Sequence, residues 1–200
     1  MSKETIQPHG GSLVNRILSP EKSEIKQAQA KSLPEIHLDA REMADLEMIG
    51  VGAMSPLKGF MSKADYTGVV EDMHLSSGEV WSLPITLSVD ETKKKKLTTG
   101  EEAVLIDQSN SKPVGIIEID QIYEYDKEKE ASNVFRTTME SHPGVTALYA
   151  QDDYLVGGNI WLFEEVKYES FKHYRQSPAE LRKLFIERGW ETVVAFQTRN

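Results

Sequence analysis

The sequence predicts a mixed fold: a β-rich domain over most of the chain, followed by the opening of an α/β domain. Two observations carry this prediction. From about residue 76 to 123, short apolar runs alternate with turn residues, the texture of an antiparallel barrel or sandwich. Near residue 170 the pattern changes to a capped amphipathic helix followed by a short, continuous apolar run.

The first 24 residues read as a polar lead, a turn at Pro8-His9-Gly10-Gly11 and an apolar stretch from Leu13 to Leu18. A helix is predicted from Leu38 to Ile49. Ala40, Met43, Ala44, Leu46 and Ile49 recur on one face, Asp39 is the N-cap, and Gly50 and Gly52 stop it. Strands are predicted in VWSLPITLSV (80–89), EAVLID (102–107) and PVGIIEI (113–119), with breaks at Thr99-Gly100 and Asn110-Ser111. Pro84 cannot donate to a ladder, which marks an edge or bulge in its run. A turn at Ser141-His142-Pro143-Gly144 precedes a further strand-like segment, YLVGGNIWLF (154–163). The acidic stretch EYDKEKE (124–130) reads as exposed surface, and no internal repeat stands out.

Ser177-Pro178-Ala179-Glu180 is a capping box with proline at the first helical position, where its missing N–H has no consequence. Leu181, Leu184 and Phe185 form the apolar stripe of the helix, and Gly189 ends it. The run from Thr192 to Phe196 then reads as a strand covered on both faces, as in a parallel sheet. A parallel strand needs neighbours and crossover helices, and one βαβ unit takes more than about 30 residues. The chain is therefore expected to be a fragment in which a doubly wound domain has been started.

Composition narrows the chemistry. With 39% hydrophobic and 28% charged residues the chain is of ordinary globular type, and it has no cysteine. Disulfides, a thiolate nucleophile and Cys-ligated zinc are excluded. No apolar run reaches the ~18 residues of a membrane span, and MSKETIQPHGGS is not a secretory leader, so a soluble, cytoplasmic protein is expected. The net charge of −9 disfavours nucleic acid as the main partner. It is unevenly spread: residues 171–200 carry six Lys/Arg against three Glu, a net +3, which leaves −12 on the first 170 residues. A small anionic substrate near the C-terminal end suits that distribution.

The candidate site is Gln197-Thr198-Arg199-Asn200, just past the apolar run. Ligands of open α/β sheets bind beyond the carboxyl ends of strands. Arg199 offers a planar, permanently charged fork for sulfate or phosphate oxygens. Gln197 and Asn200 offer amides, and Thr198 a hydroxyl and an N–H. None titrates near pH 7, so general acid–base work is not indicated. A plain polar strand-to-loop exit has the same composition.

Other features read as structural. Lys93 to Lys96 are flanked by acids and form a solvated turn. His9 and His142 lack metal-ligand spacing. The pairs Gly10-Gly11 and Gly157-Gly158 lack a following Lys-Ser/Thr and are turn or bulge glycines.

QTRN after GWETVVAF resembles the start of the active-site motif of the ATP sulfurylase family, which there continues through a proline into an H-x-x-H pair. PHGGSLVNR, DLEMIGVGAMSPLKGFM (45–61), VWSLPITLSVD (80–90), HPGV (142–145) and YLVGGNIWL (154–162) agree with the same family, in order and over nearly the whole chain. The resemblance implies a PUA-like β domain over residues 1–170. It further implies that residues 171–200 begin a Rossmann-like nucleotidyltransferase domain. The implied reaction turns ATP and sulfate into adenosine 5′-phosphosulfate and pyrophosphate, with Mg2+ accompanying the nucleotide. Gln197 and Arg199 would contact sulfate; Gln197, Thr198, Arg199 and Asn200 would line the ATP phosphates; Thr198, Arg199 and Asn200 would be the catalytic stretch. The H-x-x-H pair and the later nucleotide-binding loops are absent from this sequence, so the 200 residues alone are expected to be inactive. The full-length protein is expected to be a homo-oligomer. The competing reading is an RNA-binding or structural PUA-like module, against which stand the −12 balance and the lack of a basic-aromatic cluster.

Overall fold

The computed structural model describes residues 6–168 and 170–196. Its centre is one six-stranded sheet in the order β1-β4-β5-β6-β2, with β3 also pairing on β6. The strands are β1 (Glu35–Leu38), β2 (Gly59–Phe60), β3 (Ser88–Val89), β4 (Glu102–Asp107), β5 (Lys112–Glu124) and β6 (Tyr154–Leu162). The antiparallel barrel or sandwich expected from the strand texture is corrected to a mixed sheet, because β1 pairs parallel to β4. The hairpin β4–β5 and the pair β5–β6 are antiparallel. One edge of β6 carries β5 along its length, and the other is tiled by β2, β3 and a bridge from Ile17 to Leu162.

Both faces of the sheet are covered where β4 and β5 pair, which is why residues 103–106 in β4 and 115–117 in β5 are buried without alternation. On one face Leu105, Ile117, Ile119 and Ile160 pack with Leu46 and Ile49 of α2 (Ala40–Gly50) and with Val69 and Val70 of α3 (Lys63–Asp72). On the other, Val104, Ile106, Ile116 and Phe163 meet Ala30 at the end of α1 (Pro20–Ala30). Fully burying a side chain of this size stabilises the fold by about 1.5–3 kcal/mol.

Local chemistry explains the element ends. The Asp39 side chain accepts from the Glu42 N–H at 2.7 Å, while the Asp39 N–H donates to the Glu42 carboxylate at 3.1 Å, the two halves of a capping box. α2 runs one residue past the expected Ile49, and its predicted first residue, Leu38, instead closes β1. Gly52 takes a φ of 82°, and a Cβ there would lie 2.0 Å from the Val14 carbonyl oxygen, so only glycine fits the turn after α2. At Gly157-Gly158 the β5–β6 register slips between Ile119 and Gln121, the bulge those glycines predicted.

Several expectations are corrected. The run at 80–89 contributes only Ser88–Val89 as strand; Pro84 to Leu87 are buried but fall outside any strand, and Pro84 has no N–H to give a ladder. The turn at Ser141–Gly144 opens a helix instead of leading straight to β6. His142 accepts from the Gly144 N–H through Nδ1 (3.2 Å) and caps α6 (Pro143–Tyr149). The acidic stretch 124–130 is not all surface: it forms α5 (Lys127–Glu130), and Glu130 is only 6% exposed. The run at 192–196 does not form a strand. Val194 and Phe196 are 92% and 89% exposed. A buried parallel strand is held by ladder partners and covering helices, and among the described residues no strand pairs with this run.

Candidate functional site

The four residues singled out by their chemistry, Gln197, Thr198, Arg199 and Asn200, lie outside the described residues. What leads up to them is described. Ser177 Oγ accepts from the Glu180 N–H (3.3 Å), and the Ser177 N–H donates to the Glu180 carboxylate at 2.7 Å, so the predicted capping box starts α7 (Pro178–Glu187). Gly189, at a φ of 64°, terminates the helix as expected. The chain then folds back, with the Trp190 N–H donating to the Phe185 carbonyl at 3.0 Å and the two rings 6.0 Å apart. Leu181, Leu184 and Phe185 are half-buried, and no side chain of α7 is fully buried. Arg182 Nη1 donates to the carbonyl of Ile6 at 2.6 Å.

Four of the sequence segments that carry the family resemblance (8–16, 45–61, 80–90 and 154–162) converge in space. Arg16, at the end of PHGGSLVNR, donates from Nε to the Ile160 carbonyl (2.9 Å), and its guanidinium lies 3.6 Å over the Trp161 ring. Burial lowers the pKa of Arg16, with Glu118 opposing. The Val14 N–H donates to Ser55 Oγ (2.9 Å), and Gly59 sits so close to β6 that a Cβ would come within 1.8 Å of the Gly158 carbonyl oxygen. These motifs therefore knit the front of the domain to β6 and are structural in their contacts. His9 does the same: its Nε2 is 3.0 Å from the Val80 carbonyl, and its ring lies 6.2 Å from Trp81. Lys93, Lys94 and Lys95 each pair with Asp90 or Glu91 at 3.4–3.7 Å, solvated as expected but on the one-turn helix α4 (Glu91–Lys94), which Asp90 caps, and not in a plain turn.

Sequence reasoning missed a buried polar network. Tyr66 Oη donates to Glu130 Oε2 at 2.7 Å beneath the rings of Tyr123 and Tyr125. Burial raises the pKa of the Glu130 carboxyl, partly offset by the Tyr66 hydrogen bond and by Arg41, and burial likewise raises that of Tyr66. On α2, Arg41 holds Asp45 at 3.1 Å, and burial pushes Asp45 up to about 6. Glu42 is raised by the same cause while accepting from the Asp39 and Ser88 N–H groups. Nothing in the run EYDKEKE distinguishes Glu130 from its exposed neighbours, so no sequence signal could have found it. Among the described residues, no group of three His, Cys, Asp or Glu side chains could hold a metal ion, and no helix is long and apolar enough to cross a membrane.

The covered mixed sheet with its helical excursion defines the class of the front part. The chain belongs to the PUA-like domain family, whose profile matches residues 6–165. The ATP-sulfurylase profile matches residues 172–200, the stretch that contains α7 and QTRN. Proteins named sulfate adenylyltransferase are similar along the whole chain. The one from Synechococcus sp. (strain JA-3-3Ab) is 44% identical over 200 residues, covering 100% of this chain and 51% of the relative. That from Nostoc punctiforme is 45% identical over 197 residues, covering 98% and 50%. That from Synechocystis sp. is 46% identical over 199 residues, covering 100% and 51%. Among solved structures, the hexameric APS kinase from Thiobacillus denitrificans matches with a TM-score of 0.71 and 30% identity, over 94% of this chain and 33% of its own. The chain spans about half the length of the curated relatives it matches. The resemblance read from the motifs is borne out by these relatives.

Proposed function

We propose that this chain is the front half of a sulfate adenylyltransferase, which joins ATP and sulfate into adenosine 5′-phosphosulfate and pyrophosphate. The observation that carries the reading is the 44–46% identity along the entire chain to proteins of that name, together with the ATP-sulfurylase match over residues 172–200. In the proposed reaction a sulfate oxygen forms a bond to the α-phosphorus of ATP while the bond from that phosphorus to the pyrophosphate oxygen breaks. The protein's task is alignment and charge stabilisation. Gln197 and Arg199 hold sulfate. Thr198, Arg199 and Asn200 stand beside the ATP phosphates, where the guanidinium fork offsets developing negative charge. Mg2+ enters bound to the nucleotide phosphates and not in a protein cage.

In this reading residues 1–170 are the PUA-like domain, and 171–200 begin a Rossmann-like catalytic domain. Supporting that boundary, the buried residues of the described chain run from Val14 to Phe163, and none follows. The protein is a cytoplasmic homo-oligomer. Assembly is supported by the hexameric structural neighbour. RNA binding by the PUA-like domain is the lesser reading, since its surroundings carry −12 charges.

The test is Arg199→Lys in the full-length protein, which keeps the charge and removes the planar fork. Sulfate-dependent pyrophosphate release is expected to fall about 10²-fold or more in kcat/KM, with the melting temperature unchanged. Near-normal turnover would overturn the role of Arg199. Tight, salt-sensitive capture of structured RNA on filters would overturn the ranking of the two readings.

A further inference from the structure

We propose that Tyr168, Glu47 and Arg175 form a latch that fixes the trailing segment of the chain on α2 and so sets the direction in which α7 leaves the PUA-like domain. Burial ends at Phe163, and no described side chain from 164 to 196 is buried. Apolar packing therefore does little to orient this segment; polar ties must. The Tyr168 hydroxyl donates to the Glu47 carboxylate of α2. The face of the same ring carries the Arg175 guanidinium, 3.8 Å from its centroid, and Arg175 Nε donates back to the Ser170 carbonyl at 3.2 Å. One ring is thus pinned at its tip by α2 and along its face by a residue seven positions later.

Arg175 lies two residues before Ser177, the cap that starts α7, so the end of the latch is the start of the helix. Val166 and Tyr168 also line a groove of about 460 Å3 together with Ala40, Met43, Ala44 and Glu47 of α2. A hydrogen bond to a charged acceptor and a stacked guanidinium are each modest, but they act on one ring and so act together.

The test is made on this chain with Tyr168→Phe, which keeps the stacking face and removes the donor, with Glu47→Ala, and with the pair. The measurement is the rate of tryptic cleavage after Lys167 and Arg175, alongside the urea midpoint. Each single variant is expected to speed cleavage about three- to ten-fold, the double no more than the faster single, with the midpoint unmoved. Unchanged rates, an additive double variant, or a midpoint that falls with the rates would each overturn the latch. A second arm rests on the adenylyltransferase reading. In the full-length protein Tyr168→Phe is expected to lower kcat/KM for pyrophosphate release severalfold with the melting temperature unmoved, and wild-type kcat/KM there would overturn the positioning role. If the full-length wild type released no pyrophosphate with sulfate, the adenylyltransferase reading would fall, and the cleavage rates alone would decide the latch.

Discussion

Replacing Tyr66 by Phe removes one oxygen and leaves the Glu130 carboxylate, 6% exposed, without its 2.7 Å donor. A hydrogen bond to a charged acceptor contributes about 1.5–3 kcal/mol, and one to a neutral acceptor about 0.5–1.5 kcal/mol. The cost of Tyr66→Phe should therefore depend on whether Glu130 is ionised. The folded-state pKa of Glu130 is raised above its unfolded value, chiefly by burial. Its contribution to stability is then fully present below the unfolded value of about 4.5, and is lost as pH rises through the folded one. Tyr66 limits that loss by favouring the charged form. Urea unfolding of wild type and Tyr66→Phe at pH 4 and at a pH above the folded value of Glu130 should show a deficit of about 1 kcal/mol at the lower pH and about 2–3 kcal/mol at the higher. In a Glu130→Gln background the pH dependence of the deficit should vanish. A deficit equal at both pH values, or a pH dependence that persists in the Glu130→Gln background, would refute the claim that this pair is a charge-assisted bond within the core.

Three further outcomes follow from the same geometry. Gly59→Ala sets a Cβ within 1.8 Å of the Gly158 carbonyl oxygen, a clash against backbone that cannot swing away, and should cost about 3 kcal/mol or more in chemical denaturation. Asp45, with a folded pKa of about 6 against 3.8, loses stability as pH rises between those values; Asp45→Asn should therefore gain relative to wild type from pH 4 to pH 7, by up to about 3 kcal/mol in paired urea titrations. Ending the chain at residue 170 removes no buried side chain among the described residues and should leave the unfolding free energy of the PUA-like domain in urea within about 0.5 kcal/mol of its value in the whole chain.

The sequence was most legible where short-range physics decides the outcome. Asp39 caps its helix as expected, Ser177-x-x-Glu180 forms the capping box its spacing requires, and Gly189 ends its helix, because each rests on contacts within four residues. EAVLID and PVGIIEI are strands because both faces of the sheet are covered. The strand at 80–89 shrank to Ser88–Val89, and the run at 192–196 is no strand at all, because ladder membership depends on partners far along the chain that a local window cannot see. The parallel pairing of β1 with β4 spans some 70 residues and leaves no local mark. Glu130 was hidden for a related reason: an acidic residue among acidic residues becomes a core group only when Tyr66, 64 positions away, comes to meet it. At the candidate site the chemistry of Arg199 could be read from residue type, but its surroundings could not, since residues 197–200 lie outside the described residues.

The contrast between core and trailing segment bears on how such a chain can carry a site. The sheet buries Ile117, Leu105 and Ile160 completely, and rearranging it would disturb close-packed side chains. The trailing segment rests on a tyrosine hydroxyl, a stacked guanidinium and the Arg182 tie to Ile6, contacts that open at modest cost. Joints between domains are generally more polar than cores, and motion across them is the default. A rigid sheet with a polar tie to its trailing segment thus separates two demands: the β domain keeps its shape, while the direction of α7 is set by contacts whose opening leaves the core undisturbed. A joint packed as tightly as the β5–β6 face would remove that freedom, and one without Tyr168 would leave it ungoverned.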